Sequence, residues 1–287
     1  MRFLQPNTLP ELARCLEEKS GPDCYLIAGC TDFLAKRNNT PWDAKLLISL
    51  VNLPELRDIH LEEDNVLSVG AACTHSQVEE HPLVRQYFPA LAAACGNVGS
   101  KQVRNRGTVG GSVGNASPAG DIYPVLLVLG ARGVVMNSKE TMRRLPMEEL
   151  ISPQGKLALA EDEAITAFEL PLPGPHNCNA FVKLGEQAHV TIAKIGLSVS
   201  LTLREGKMEQ VRLALGAVAR RAFLARSAAA LEGQALSPDL LPAFFAALSG
   251  EIEASIPDRP SMPYKRQAVK GLADDLLTAL MDQARTK

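Results

Sequence analysis

The sequence predicts an α+β protein of three consecutive units, and three observations carry that expectation. Through residues 1–58, short apolar runs suited to strands alternate with stretches whose apolar residues recur at helical spacing. Through 59–172 the pattern shifts to strands and helices arranged around a glycine-rich segment. At 171–177 the run PLPGPHN packs three prolines and a glycine into seven residues, which marks the clearest boundary in the chain. A third unit, 173–287, follows it.

In the first unit, residues 9–18 place Leu12, Ala13 and Leu16 on one helical face after Thr8, a natural N-cap. Residues 25–28 read as a short buried strand, and 44–51 as another. A turn at Gly29, Cys30, Thr31 and Asp32 separates the first of these from a helical start at 33–36, with Thr31 or Asp32 as its cap. In the second unit VLSVGAAC and GVVMNS are strands, 76–80 and 83–95 are helices, and 122–129 is a mostly apolar helix capped by Asp121. In the third, 194–204 and 210–218 pair as strands around a turn at 204–207. Helices are expected over 222–231, 240–249 and 264–281, the last with Ala268, Leu272, Leu276 and Leu280 on its core face.

Two loops carry the functional signal. TVGGSVGNASPAGD, residues 108–121, leaves its backbone almost bare, and Gly110, Gly111 and Gly114 are free to take positive φ. Successive amides in such a segment can converge on an anion such as a pyrophosphate, with Thr108, Ser112, Asn115 and Ser117 at the rim. The same composition also suits a plain turn. The second case, YLIAGCTDFLAKRN, joins a strand, a small-residue turn and a helix N-terminus, an arrangement that favours phosphate. Two such loops suggest a ligand with more than one anchoring point, such as a dinucleotide.

Other chemistries are mostly excluded. No G-x-G-x-x-G follows a strand and no P-loop motif occurs. The five histidines are scattered, and the six cysteines fit neither a zinc site nor an iron–sulfur ligand run, so mostly buried, reduced thiols are expected. A net charge of −2 with 5% aromatic residues argues against nucleic-acid binding. The start lacks the pattern of a signal peptide, and the longest apolar run is too short and too interrupted to span a membrane. A cytoplasmic, reducing location is the expectation.

KQVRNRGTVGGSVGNASPAGDIYPVLLVLGA closely resembles the FAD-binding medium subunit of the molybdenum hydroxylases, the xanthine dehydrogenase and carbon monoxide dehydrogenase flavoprotein family. LIAGCTDFLAKRN, DEAITAFELPLP, FVKLGEQAHVTIAKIGLSVSL and SMPYKRQAVKGL are similar to further segments of that family in the same order, and ASPAGD is nearer to its xanthine dehydrogenase branch. The resemblance implies an FAD-binding fold of the vanillyl-alcohol oxidase type, built from two subdomains (1–58 and 59–172), with a C-terminal flavoprotein domain (173–287) closing over the cofactor. It implies that Leu26, Ile27, Ala28, Gly29, Cys30, Thr31, Asp32 and Phe33, with Thr108, Val109, Gly110, Gly111 and Ser112, cradle the FAD. Asp121 would make a polar contact, Ile165 and Lys183 would border the site, and Ile192 would lie near the flavin ring. Val98 departs from the pattern, because animal xanthine dehydrogenases carry an aromatic residue there.

The resemblance further implies molybdopterin and [2Fe–2S] clusters on partner subunits, since the chain lacks the cysteine-rich insertion of the 4-hydroxybenzoyl-CoA reductases. Electrons from those clusters would pass through the flavin to NAD⁺ or another acceptor, with no side-chain nucleophile or general base required and no metal in this chain. The alternative reading is a non-redox nucleotide- or phosphate-binding module. A free-standing flavin oxidase is less well supported, as neither loop has an acid, base or flavin-attaching histidine near it in sequence.

Overall fold

The computed structural model describes residues 1–36, 44–187 and 190–286, so positions 37–38 of the first loop motif and His189 lie outside it. The chain begins with β1 (Arg2–Leu4), α1 (Leu9–Glu17), β2 (Cys24–Ile27), α2 (Phe33–Lys36) and β3 (Leu46–Ser49). Thr8 caps α1 by accepting from the Glu11 amide at 3.3 Å, as its hydroxyl predicts. The three strands form a parallel sheet in the order β1-β3-β2. Leu12, Leu16 and Ile48 are fully buried between helix and sheet, together with Met136 and Ala164 from farther along the chain. β2 is only half-buried throughout, contrary to the expectation of a buried strand, because its outer face forms part of a cleft.

Next come β4 (Ile59–Leu61), β5 (Val66–Gly70), α3 (His75–Glu80), α4 (Pro82–Tyr87), α5 (Pro89–Gly96), α6 (Lys101–Arg104), α7 (Val109–Gly114) and α8 (Ile122–Val128). They are followed by β6 (Arg132–Asn137), β7 (Met142–Pro146), α9 (Met147–Leu150) and β8 (Glu163–Pro171). The strands pair antiparallel in the order β4-β5-β8-β6-β7. Two expectations fail here for identifiable reasons. The helix expected over 83–95 is broken into α4 and α5, because Pro89 forces Phe88 out of helical geometry to φ −129° and ψ 55°. The glycine-rich segment is the short helix α7 rather than an open loop, and Gly110, Gly111 and Gly114 are not among the residues with positive φ. Thr108 caps α7 through the Gly111 amide at 3.0 Å, and Val109 and Val113 bury its inner face, which offsets the poor helix propensity of glycine.

The last part contains β9 (Asn177–Leu184), β10 (Ile195–Arg204), β11 (Lys207–Gly216), β12 (Phe223–Leu224), α10 (Leu241–Ser255) and α11 (Met262–Arg285). The antiparallel sheet β12-β11-β10-β9 buries one face against α10 and α11. Glu205 and Gly206 take φ 50° and 77° at the β10–β11 hairpin, a pair of positive values typical of a two-residue turn that matches the strand twist. Residues 222–231, expected as a helix, instead form β12 and a 3-10 turn (Arg226–Ala230). Pairing of Phe223 and Leu224 with β11 outweighs the alanine-rich helix propensity there. Leu272, Leu276 and Leu280 of α11 are buried as their spacing predicts. Asn179 joins this part to the one before it, accepting from the Ala90 amide at 2.9 Å and donating to the Tyr87 carbonyl at 3.0 Å.

Candidate functional site

The ends of β2, α7 and β9 converge on one cleft of about 1070 Å³. Small-molecule pockets usually measure about 300–1,000 Å³, so the space suits a ligand larger than a mononucleotide. Seventeen of the eighteen residues expected at the site line it: Leu26 through Phe33, Val98, Thr108, Gly110, Gly111, Ser112, Asp121, Ile165, Lys183 and Ile192. Val109 does not. It is 2% exposed in the hydrophobic core, because the first turn of α7 directs it inward.

The two loops pack backbone to backbone. A Cβ on Gly29 would stand 1.8 Å from the Arg106 carbonyl oxygen and 2.9 Å from the Gly107 Cα, so only glycine permits this approach. Gly110 meets Ala71 in the same way, with a hypothetical Cβ 2.5 Å from the Ala71 carbonyl oxygen. A further tie lies at the rim, where the Lys36 ammonium donates to Asn115 Oδ1 at 2.8 Å and pairs with Asp32 at 2.7 Å. Asp32 is thus engaged one turn onward, along α2.

Amide bookkeeping separates the roles of the loops. Val109, Gly110, Gly111 and Ser112 donate to Cys73 O, Ala71 O, Thr108 Oγ1 and Thr108 O respectively. Those N–H groups are spent inside the protein, and the expected nest of free amides is not there. It lies in the first loop. Among the described residues, the amides of Gly29, Cys30, Thr31 and Asp32 have no acceptor within the chain. Cys30 holds φ 59°, the left-handed kink that lets consecutive amides point to one concavity and bind an anion.

At the other side of the cleft, Lys183 Nζ meets Asp121 Oδ2 at 2.7 Å and also donates to the Asn97 carbonyl at 3.1 Å. Asp121 occupies the N-cap position of α8, yet its side chain makes no capping bond, contrary to expectation, because the carboxylate is turned to Lys183. Burial pushes the Asp121 carboxyl above its ordinary range, with the neighbouring ammonium pulling it back. Glu163 is held below the usual carboxylate range by the Arg143 guanidinium, which grips it through two bonds of 2.7 Å. Ile165 is buried in β8, while Ile192 is 78% exposed at the cleft mouth. Val98 packs against the core beside the cleft. Among the described residues the phenyl and phenol rings that line the cleft are those of Tyr25 and Phe33, packed edge to face at 5.3 Å in the first loop motif.

Sequence reasoning missed several wall residues. Leu157, Leu159 and Ala160 add an apolar surface, and Lys19 donates to the Glu161 carbonyl at the cleft end. His75 is 3% exposed and lines the cleft at the start of α3. A strand followed by Thr-His could have pointed to it. Of the six cysteines, Cys73, Cys95 and Cys178 are buried and the other three half-buried. Among the described residues no cluster suited to a metal ion occurs, and no helix is long and apolar enough to cross a membrane.

Residues 1–173 match the family described as FAD binding domain in molybdopterin dehydrogenase, and residues 180–280 match the CO dehydrogenase flavoprotein C-terminal domain. The chain belongs to this flavoprotein family. A nicotinate dehydrogenase FAD-subunit of Eubacterium barkeri is 30% identical over 98% of this chain and 96% of its own length. A putative xanthine dehydrogenase FAD-binding subunit of Escherichia coli is 32% identical over 69% of this chain and 68% of its own length. Among solved structures, a carbon monoxide dehydrogenase from Hydrogenophaga pseudoflava lacking the Mo-pyranopterin moiety superposes with a TM-score of 0.87. The two are 25% identical, and the match covers 98% of this chain and 97% of the other. The α+β architecture is therefore that of the flavoprotein subunits of molybdenum hydroxylase-type dehydrogenases, and the chain is an oxidoreductase subunit that carries FAD.

Proposed function

We propose that the FAD lies along this cleft with its pyrophosphate on the Gly29–Asp32 amides and its ring between Val98 and Ile192, and that the chain relays electrons within a heteromeric molybdenum hydroxylase. The observation that carries this reading is the row of four unpartnered amides at the left-handed Cys30 turn, on residues that line a cleft large enough for a dinucleotide. When bound, FAD stores two electrons and hands them on. The residues of this chain bind, orient and shield it. The first-loop amides hold the anion. Gly29 and Gly110 let the walls close to backbone distance, and Asp121 holds the Lys183 ammonium in place at the ring end. Leu157, Leu159 and Ile165 supply apolar surface for an aromatic heterocycle.

Domain limits at 1–58, 59–172 and 173–287 fit this arrangement, each part giving one wall of the cleft. The partners we assign are a molybdopterin-binding large subunit and a [2Fe–2S] small subunit, with NAD⁺ or another acceptor taking the electrons. Xanthine or a related heteroaromatic is the substrate class of the complex, since relatives named for xanthine and nicotinate oxidation align with this chain. A reducing cytoplasm is the location we assign, in keeping with the buried or half-buried cysteines.

The test is purification under native conditions. Flavin absorption bands, release of FAD on denaturation, and co-purifying chains that contain molybdenum and iron are expected. Reduction of NAD⁺ by the complex on addition of a purine identifies the acceptor. A protein without flavin that cannot be reconstituted with FAD would support the non-redox nucleotide-binding module instead.

A further inference from the structure

His75 lines the cleft, and the arrangement above leaves its chemistry unused. It opens α3, and its backbone amide donates to the Gly107 carbonyl at 2.9 Å. This fixes the side chain beneath the junction of the two loops. From the Gly107 Cα, the direction a Cβ would take ends 3.2 Å from the His75 Cδ2 atom and 3.2 Å from Thr31 Oγ1. Cδ2, the ring atom nearest this point, is bonded to Nε2, and His75, Thr31 and Gly107 all line the cleft. The opposite nitrogen, Nδ1, is buried without a hydrogen-bond partner.

These facts determine the tautomer. A buried imidazole with nothing to receive a proton at Nδ1 carries it on Nε2, the nitrogen on the open side. Burial and the nearby Arg104 guanidinium hold the ring down at about 4, so it is neutral at physiological pH. The result is an uncharged donor next to Thr31 and the turn that carries the free first-loop amides. Of the two ring nitrogens Nδ1 is the buried one without a partner and Nε2 is not, which leaves the Nε2–H open to an oxygen of a ligand in the cleft.

We propose that His75 is a further cofactor-binding residue of this cleft, its Nε2–H donating a hydrogen bond to a phosphate oxygen of the bound dinucleotide where the Cys30 turn meets Gly107. This rests on the flavoprotein reading above. Thr31 Oγ1 lies at the same point and the unpartnered Gly29–Asp32 amides belong to the adjoining turn, so an anionic oxygen bound there meets several donors together.

The experiment uses the full chain stripped of flavin and titrated with FAD, ADP and riboflavin. Two variants are compared with wild type: His75→Leu, which keeps volume and removes the donor, and His75→Gln, which keeps a donor at a similar reach. His75→Leu is expected to weaken FAD and ADP at least tenfold and leave riboflavin unchanged. His75→Gln should stay within threefold of wild type, with the melting temperature of both flavin-free variants at or above that of wild type. Wild-type affinity in His75→Leu, equal losses in both variants, or a loss confined to riboflavin would overturn the assignment. For a variant that does not fold, ¹⁵N-histidine-labelled wild type replaces it: FAD should shift the His75 Nε2 signal with the proton still on Nε2, and unmoved ring-nitrogen signals would overturn the proposal. A wild-type chain that binds no FAD would overturn the flavoprotein reading as well, whereas normal binding by His75→Leu defeats only the role of His75.

Discussion

Lys183 and Asp121, 62 positions apart in sequence, meet at 2.7 Å with side chains only 6% and 8% exposed. The pair links β9 to the start of α8 across the cleft. Removing one member of a buried ion pair leaves the other uncompensated, typically at a cost of about 3–5 kcal/mol. Asp121→Asn and Lys183→Met should each destabilise the chain by that order, and the double variant should recover much of the loss. Urea unfolding of the three proteins checks this, and additive losses would contradict it.

Backbone approach at the loop junction leads to a contrast among glycines. Gly29→Ala and Gly110→Val force atoms against backbone at 1.8 Å and 2.5 Å, so both should lose roughly 1–3 kcal/mol or more by overpacking and retain no flavin. Gly114→Ala meets nothing within 4 Å. It should leave the flavin-free protein as stable or up to about 1 kcal/mol more so. Melting temperature and flavin content together distinguish the cases.

Cys30 adopts φ 59°, a region that costs a non-glycine residue roughly 1–2 kcal/mol. Cys30→Gly should keep wild-type flavin content and melt within a few degrees of wild type, since relief of that strain offsets the greater freedom of glycine in the unfolded chain. Cys30→Val, branched at Cβ, should lose flavin and stability. A Cys30→Gly protein without flavin would mean that the thiol itself is needed.

His75 also sets a pH dependence. Its folded-state value is lowered from 6.5 to about 4, so between those limits the unfolded chain binds more protons. The stabilisation is complete above about pH 6.5, declines as pH falls, and is gone below about 4. The difference is of order 3 kcal/mol. Unfolding free energies at pH 7 and pH 4.5 should diverge less for His75→Gln than for wild type, and identical slopes would remove His75 as the titrating group.

Much of this site was legible because glycine, threonine and a strand-turn-helix pattern each have a local meaning. Thr8 capped its helix as read, and both loops came to one cleft. What could not be read was tertiary. Whether the amides of Val109 and Gly110 were free depended on Cys73 and Ala71, which lie nearly forty residues earlier. The capping role given to Asp121 was displaced by Lys183 from another sheet. The segment 222–231 reads as helix from its alanines until β11 offers an edge to pair with. Pro89, by contrast, is a break visible in the sequence within the helix expected over 83–95.

The walls of the cleft come from three separate sheets: Gly29 to Asp32 follow β2, Ile165 sits in β8, and Lys183 ends β9. No one sheet contains the whole binding surface, so the cleft is complete only once the last sheet has docked through Asn179. The yellow colour of a preparation is then a gauge of completed folding as much as of cofactor supply.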